Sequence, residues 1–115
     1  MKIQIVEDPI HINELEKMGR EGFGEMVKAV VDIEKEIMAI GGELHADGEA
    51  ILLSSSSKQE NLWGINLYPQ KKDEEFIEFD SVINLKPLQG NRSRGIEDPL
   101  IQKRIKEIVQ RLIKN

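Results

Sequence analysis

Several stretches of the chain alternate between apolar and polar residues, and others repeat apolar residues at helical spacing. Residues 2–6 (KIQIV) alternate and predict a short strand, broken by Asp8-Pro9. Ile12, Leu15 and Met18 recur three apart, so residues 11–19 predict a first helix that a cluster of Gly19, Gly22 and Gly24 interrupts. Met26, Val30, Ile33, Ile37 and Ile40 form a longer stripe at i, i+4, i+7, i+11 and i+14. With Glu25 in the first turn and Gly41 placed to end it, the stripe predicts a helix over 24–40. The run Ala29-Val30-Val31-Asp32-Ile33 is β-branched enough to support a rival reading, a hairpin turning at Glu34-Lys35.

Three strands are predicted next. Glu43–Leu53 alternates, with Leu44, Ala46, Gly48, Ala50 and Leu52 on one face and Glu43, His45, Asp47 and Glu49 on the other. Leu62–Tyr68 and Phe76–Lys86 alternate too, and polar turns separate the three. Pro87 stops the last strand. Asp98-Pro99 then opens a final helix, Asp98 as N-cap and Pro99 at N1, with Ile101, Ile105, Ile108 and Leu112 as its apolar stripe. The order β-α-α-β-β-β-α predicts an α+β fold, a single domain over residues 1–115. Helices pack on one face of an antiparallel sheet and leave the other face open.

A chain of 115 residues has room for one core. It has no cysteine, which excludes disulfides, thiolate metal sites and cysteine nucleophiles. A net charge of −5 gives no overall attraction for nucleic acid or for an anionic membrane. There is no charged leader followed by an apolar run, and no apolar stretch near the ~20 residues that span a bilayer. The expected setting is the cytoplasm, with no membrane partner and nucleic acid disfavoured.

If Glu43–Leu53 is a strand on an open sheet, its polar face carries chemistry. His45, Asp47, Glu49 and, from the third strand, Asp80 are ordinary ligand types for a divalent cation, the one cofactor the sequence suggests. Crowded carboxylates also raise one another's pKa, which suits acid–base work. Asn66 and Asn84 would stand beside them. The same pattern also fits a solvated sheet face, and no catalytic residue is singled out. The loop Gly90-Asn91-Arg92-Ser93-Arg94-Gly95 is basic and bounded by glycine. Arg92 and Arg94 offer forked donors to an anion, with Asn91 in support, or they pair with nearby carboxylates.

The phrases GGELHAD (41–47), WGINLYP (63–69) and GNRS (90–93) resemble a small prokaryotic family of unknown function. That resemblance implies no activity and no catalytic residue. The element order also resembles ribosome-dependent ribonuclease toxins, in topology alone. Three functional readings follow. The first is a non-catalytic binding or assembly domain using the open sheet face, a homo-oligomer or a partner for another protein, with Ile51, Leu53, Tyr68 and Val82 as its apolar contacts. The second is a divalent-metal-dependent, phosphoesterase-like hydrolase. The remote third is a toxin-like ribonuclease.

Overall fold

A computed structural model describes residues 2–115. Its centre is a five-stranded antiparallel sheet in the order β1-β4-β3-β5-β6, formed by β1 (Ile3–Val6), β3 (Val27–Asp32), β4 (Ile37–Gly41), β5 (Leu62–Leu67) and β6 (Ile77–Glu78). Three helices, α1 (Ile12–Glu21), α2 (His45–Ser54) and α3 (Pro99–Leu112), complete an α+β fold of the class the sequence predicts. A two-residue strand β2 (Ile10–His11) pairs in parallel with β7 (Ile113–Lys114) and ties the start of α1 to the end of α3. The terminal helix begins as expected, because the Asp98 side chain accepts from the Leu100 N–H at 2.9 Å.

The helix expected over 24–40 is instead the hairpin β3–β4, turning at the rival position. Val27, Ala29, Val30 and Val31, and then Met38, Ala39 and Ile40, are all buried. A strand covered on both faces loses its alternation, so its near-continuous apolar run can satisfy a helical template by accident. Asp32 fixes the turn. Its Oδ1 accepts from the N–H groups of Glu34 and Lys35, both at 2.9 Å, and its Oδ2 accepts from Ser57 Oγ at 2.6 Å. From α3, Arg104 and Arg111 donate to the carbonyls of Ile33 and Glu36 on either side of that turn.

The strand expected over 43–53 is instead helix α2. Gly41 and Gly42, at φ +98° and +82°, reverse the chain just before it, a conformation that favours glycine. A Cβ on Gly48 would lie 3.1 Å from Val30 Cγ2, so α2 approaches the sheet very closely. Gly48→Val should therefore lower stability by about 1–3 kcal/mol, the usual range for overpacking, as a reduced urea midpoint at unchanged slope.

The third expected strand, 76–86, survives only as Ile77–Glu78, which pairs with Leu67 and Asn66. Beyond it the chain leaves the ladder and passes over Gly64. A Cβ on Gly64 would meet Ser81 Cβ at 2.6 Å. The Asn84 side chain then stands in for the missing strand. Its Oδ1 accepts from the Gly64 N–H at 2.8 Å and its Nδ2 donates to the Gly64 carbonyl at 2.9 Å.

The helices do not share one face. On one side, Leu15 of α1 and Ile105, Ile108, Val109 and Leu112 of α3 pack with Val27, Val31, Met38, Ile40, Trp63, Ile65 and Leu67. On the other, Leu52 of α2 packs with Val30, Ala39 and Leu62. The sheet face expected to be open is thus covered by α2 and by residues 81–84.

Candidate functional site around His45

His45 is the first residue of α2 and is buried, 8% exposed. Its Nε2 donates to the Ile65 carbonyl of β5 at 2.8 Å. A carbonyl can only accept, so the neutral ring carries its proton on Nε2 and leaves Nδ1 as an acceptor. Burial lowers the imidazole pKa, and Lys28 pushes the same way. The Ile65 carbonyl, Asn66 and Asp80 oppose the shift without cancelling it.

Asn66 lies beside the ring and is itself buried. Its Nδ2 donates to Glu78 Oε1 at 2.9 Å and, at 3.4 Å, to the Asp80 carbonyl, while its buried Oδ1 has no hydrogen-bond partner. Tyr68 Oη donates to the same Glu78 oxygen at 3.0 Å. Burial raises the Tyr68 pKa, and Glu78 adds to the rise. Asp80 is paired with Arg94 at 2.7 Å, both groups being about half exposed, so the pair adds little stability.

Of the residues singled out in the sequence, the structure brings together His45, Asn66 and Asp80, with Arg94 on Asp80. Glu49 follows His45 by one helical turn and has a buried Oε2 without a partner. Asp47, two positions on from His45, is exposed on the outside of α2. Among the described residues no three His, Asp or Glu side chains gather in a way that could hold a metal ion.

Asn84 and Asn91 hold the chain itself. Asn84 Nδ2 also donates to the Arg94 carbonyl at 2.9 Å. Asn91 Nδ2 donates to the carbonyls of Asn84 and Gly95 at 2.7 and 2.8 Å, and its Oδ1 accepts from the Glu97 N–H. The loop expected to receive an anion already receives one of its own. The Arg92 N–H donates to the Glu97 carboxylate at 2.7 Å, and the Arg92 side chain is exposed.

Two features have no clear sequence signal. Lys86, placed by alternation on a polar strand face, is buried with its Nζ 4.7 Å from the centre of the Trp63 ring, donating to the Gln59 carbonyl. Burial lowers its pKa, against the pull of Glu49 and Glu60. On the far side of the sheet, an open groove of about 780 Å³ has Ile12, Phe76, Ile77, Val109 and Ile113 among its lining. Lys106 and Glu74 pair at 3.2 Å at its edge. Three distant segments build it, which is why no local pattern reveals it. Neither this groove nor the smaller one beside it is lined by His45, Asn66 or Asp80. The His45 ring can exchange a proton, but neither groove brings a substrate to it.

The profile of a family described as "Protein of unknown function (DUF5674)" matches residues 4–112, from β1 to the last residue of α3. The chain belongs to this family. The match takes in the five-stranded sheet from Gln4 onward, all three helices and every residue of the His45 cluster. No curated protein and no solved structure matches the chain. No described helix is long and apolar enough to cross a membrane.

Proposed function

We propose that the protein is a non-catalytic assembly domain, that its association surface is the layer formed by α2 and residues 81–90, and that its partner is a second copy of the chain. The observation that carries this reading is where the exposed apolar side chains lie. Of the seven exposed large hydrophobic residues among the described residues, five are on this layer: Leu44, Leu53, Val82, Leu85 and Leu88. Leu88 sits at the tip of a tight turn, wholly outside the globule, and the turn is closed by left-handed Gly90.

The helices differ in the same sense. A surface helix normally buries one stripe and presents charge on the other. On their outer faces α1 exposes Glu14, Lys17, Arg20 and Glu21, and α3 exposes Lys103, Arg104, Glu107 and Arg111. In α2 the exposed positions Ala46, Ala50 and Leu53 follow at i, i+4 and i+7, with Asp47 the only charge from Ala46 to Ser54 on that side. Small residues let two helices approach closely. An antiparallel crossing centred on Ala50 sets Ala46 opposite Ser54 and Leu53 opposite Asp47, so no like charges meet. Such a two-fold contact is closed, because the same surface serves both copies.

Burying a leucine side chain contributes about 1.5–3 kcal/mol. Leu53→Glu and Val82→Glu should each abolish association while leaving the far-ultraviolet circular dichroism and the melting of the monomer unchanged. Size-exclusion chromatography with light scattering checks this. A dimer unaffected by either change, or a wild type that is monomeric at high micromolar concentration, overturns the reading.

A further inference from the structure

Helix α2 is capped unevenly. Its N-cap, Leu44, has no side chain to satisfy the first-turn N–H groups, and Gly41-Gly42 immediately before it form a left-handed pivot. At the other end, backbone bonds from Ser55, Ser56 and Ser57 to the carbonyls of Leu52 and Leu53 close the helix tightly. In the N-terminal half the His45 ring hydrogen-bonds the Ile65 carbonyl of the sheet, and Gly48 packs against Val30 and Ala39.

We propose that His45 is a proton-operated latch: protonation of its ring releases the N-terminal half of α2 from the sheet, and with it the Leu44 and Ala46 part of the association surface. The inference rests on the α2 layer being that surface. A charged ring would be buried at the positive end of a helix, where a cation is disfavoured. The groups around it divide. Lys28 on β3 repels a charged ring, and the Ile65 carbonyl and Asn66 on β5 favour it. Asp80 attracts it, but its carboxylate is already shared with Arg94. Glu78 acts on the Asn66 amide, Glu49 stands one turn along the same helix, and Asp47 points to solvent. Burial decides the balance, and the folded ring binds its proton less readily than the unfolded one.

The sign follows from linkage. A histidine whose folded pKa lies below its unfolded value contributes fully above about pH 6.5, and its contribution falls as the pH drops through that value. Carboxylates titrate lower, so pH 5.5 isolates histidine. His11, the other histidine, caps α1 by accepting from the Asn13 N–H and pairs in β2 with β7, outside α2.

Amide hydrogen exchange read by NMR at pH 7.5 and 5.5, corrected for intrinsic rates, tests the latch on the whole chain. In the wild type, protection of α2 amides should fall several-fold relative to β3, with the midpoint of the His45 ring titration. His45→Gln, whose side chain can donate to Ile65 without titrating, should show no such fall. Unchanged α2 protection in the wild type overturns the proposal, whether or not the variant folds. So does an equal fall in His45→Gln, or a midpoint that does not follow the ring. Sedimentation of the same samples should give a dimer at pH 7.5 and a monomer at pH 5.5. Monomers at both would refute the association surface, while α2 exchange still judges the latch itself.

Discussion

Asn84→Ala should be among the most destabilising single changes in this protein, at about 3 kcal/mol, because each buried backbone group left without a partner costs roughly 1–3 kcal/mol. Asn84 is fully buried. Its one amide satisfies both the N–H and the carbonyl of Gly64, and it also holds the Arg94 carbonyl. Alanine cannot replace any of these, and water has little access to so buried a position. The loss should appear as a reduced denaturant midpoint. Asn84→Asp is the informative companion, because it keeps the acceptor for the Gly64 N–H but places a carboxylate oxygen against two carbonyls. It should be no more stable than Asn84→Ala. A loss below about 1 kcal/mol in both, the worth of a single ordinary hydrogen bond, would mean that Asn84 does not replace a strand partner.

Asp32→Ala should cost a similar amount, about 3 kcal/mol, since it loses three hydrogen bonds that contribute roughly 1 kcal/mol each. The carboxylate is almost wholly buried and accepts three such bonds, two from the hairpin turn and one from Ser57. It therefore joins the β3–β4 turn to the segment that follows α2. Asp32→Asn keeps the shape and one acceptor oxygen, and should recover part of the loss. Urea unfolding of the three proteins at one pH gives the comparison. Equal stability of Asp32→Ala and wild type would remove the turn's main support.

β1, α1 and α3 are legible because each has a clear apolar face and a clear start or stop, as with Asp98-Pro99; β5 is buried throughout, yet it is legible because Gly64 and Asn66 interrupt its large apolar residues and keep the period of two. The segment from 24 to 53 is not. β3 and β4 lie in the middle of the sheet with both faces covered, so their apolar residues lose the period of two. The apolar residues of α2 do not mark one face, unlike those of α1 and α3. Its early alternation, together with the turn at Gly41-Gly42, imitates a strand. The 76–86 strand failed for another reason. Its pattern is regular, but Gly64 offers a space that Ser81 and Asn84 fill from above, and only tertiary contact reveals this.

The site residues show how a wrong element can still place some side chains correctly. Periods of 2 and 3.6 agree at i+4 and disagree at i+2. His45 and Glu49 therefore share a face in either geometry, whereas Asp47 joins them only in a strand. The structure keeps the first pair on one side of α2 and turns Asp47 outward. Asp80 comes near His45 although β6 ends at Glu78, because the chain crosses over β5 just after it. A strand over 43–53 does not predict the exposed side of α2.

The absence of cysteine makes the most direct test of the association surface clean, since one introduced thiol is the sole labelling site. Asp47 lies at the edge of the proposed contact and is exposed. Asp47→Cys carrying a nitroxide, measured by pulsed dipolar spectroscopy at pH 7.5, should give one short inter-copy distance. The sample should sediment at twice the mass of the 13.1 kDa chain. Two helices in contact have axes about 8–10 Å apart, so the labels at their edges must lie within the range of the method. A labelled protein with no inter-copy coupling, or a dimer whose coupling survives Leu53→Glu unchanged, would contradict α2 as the association surface.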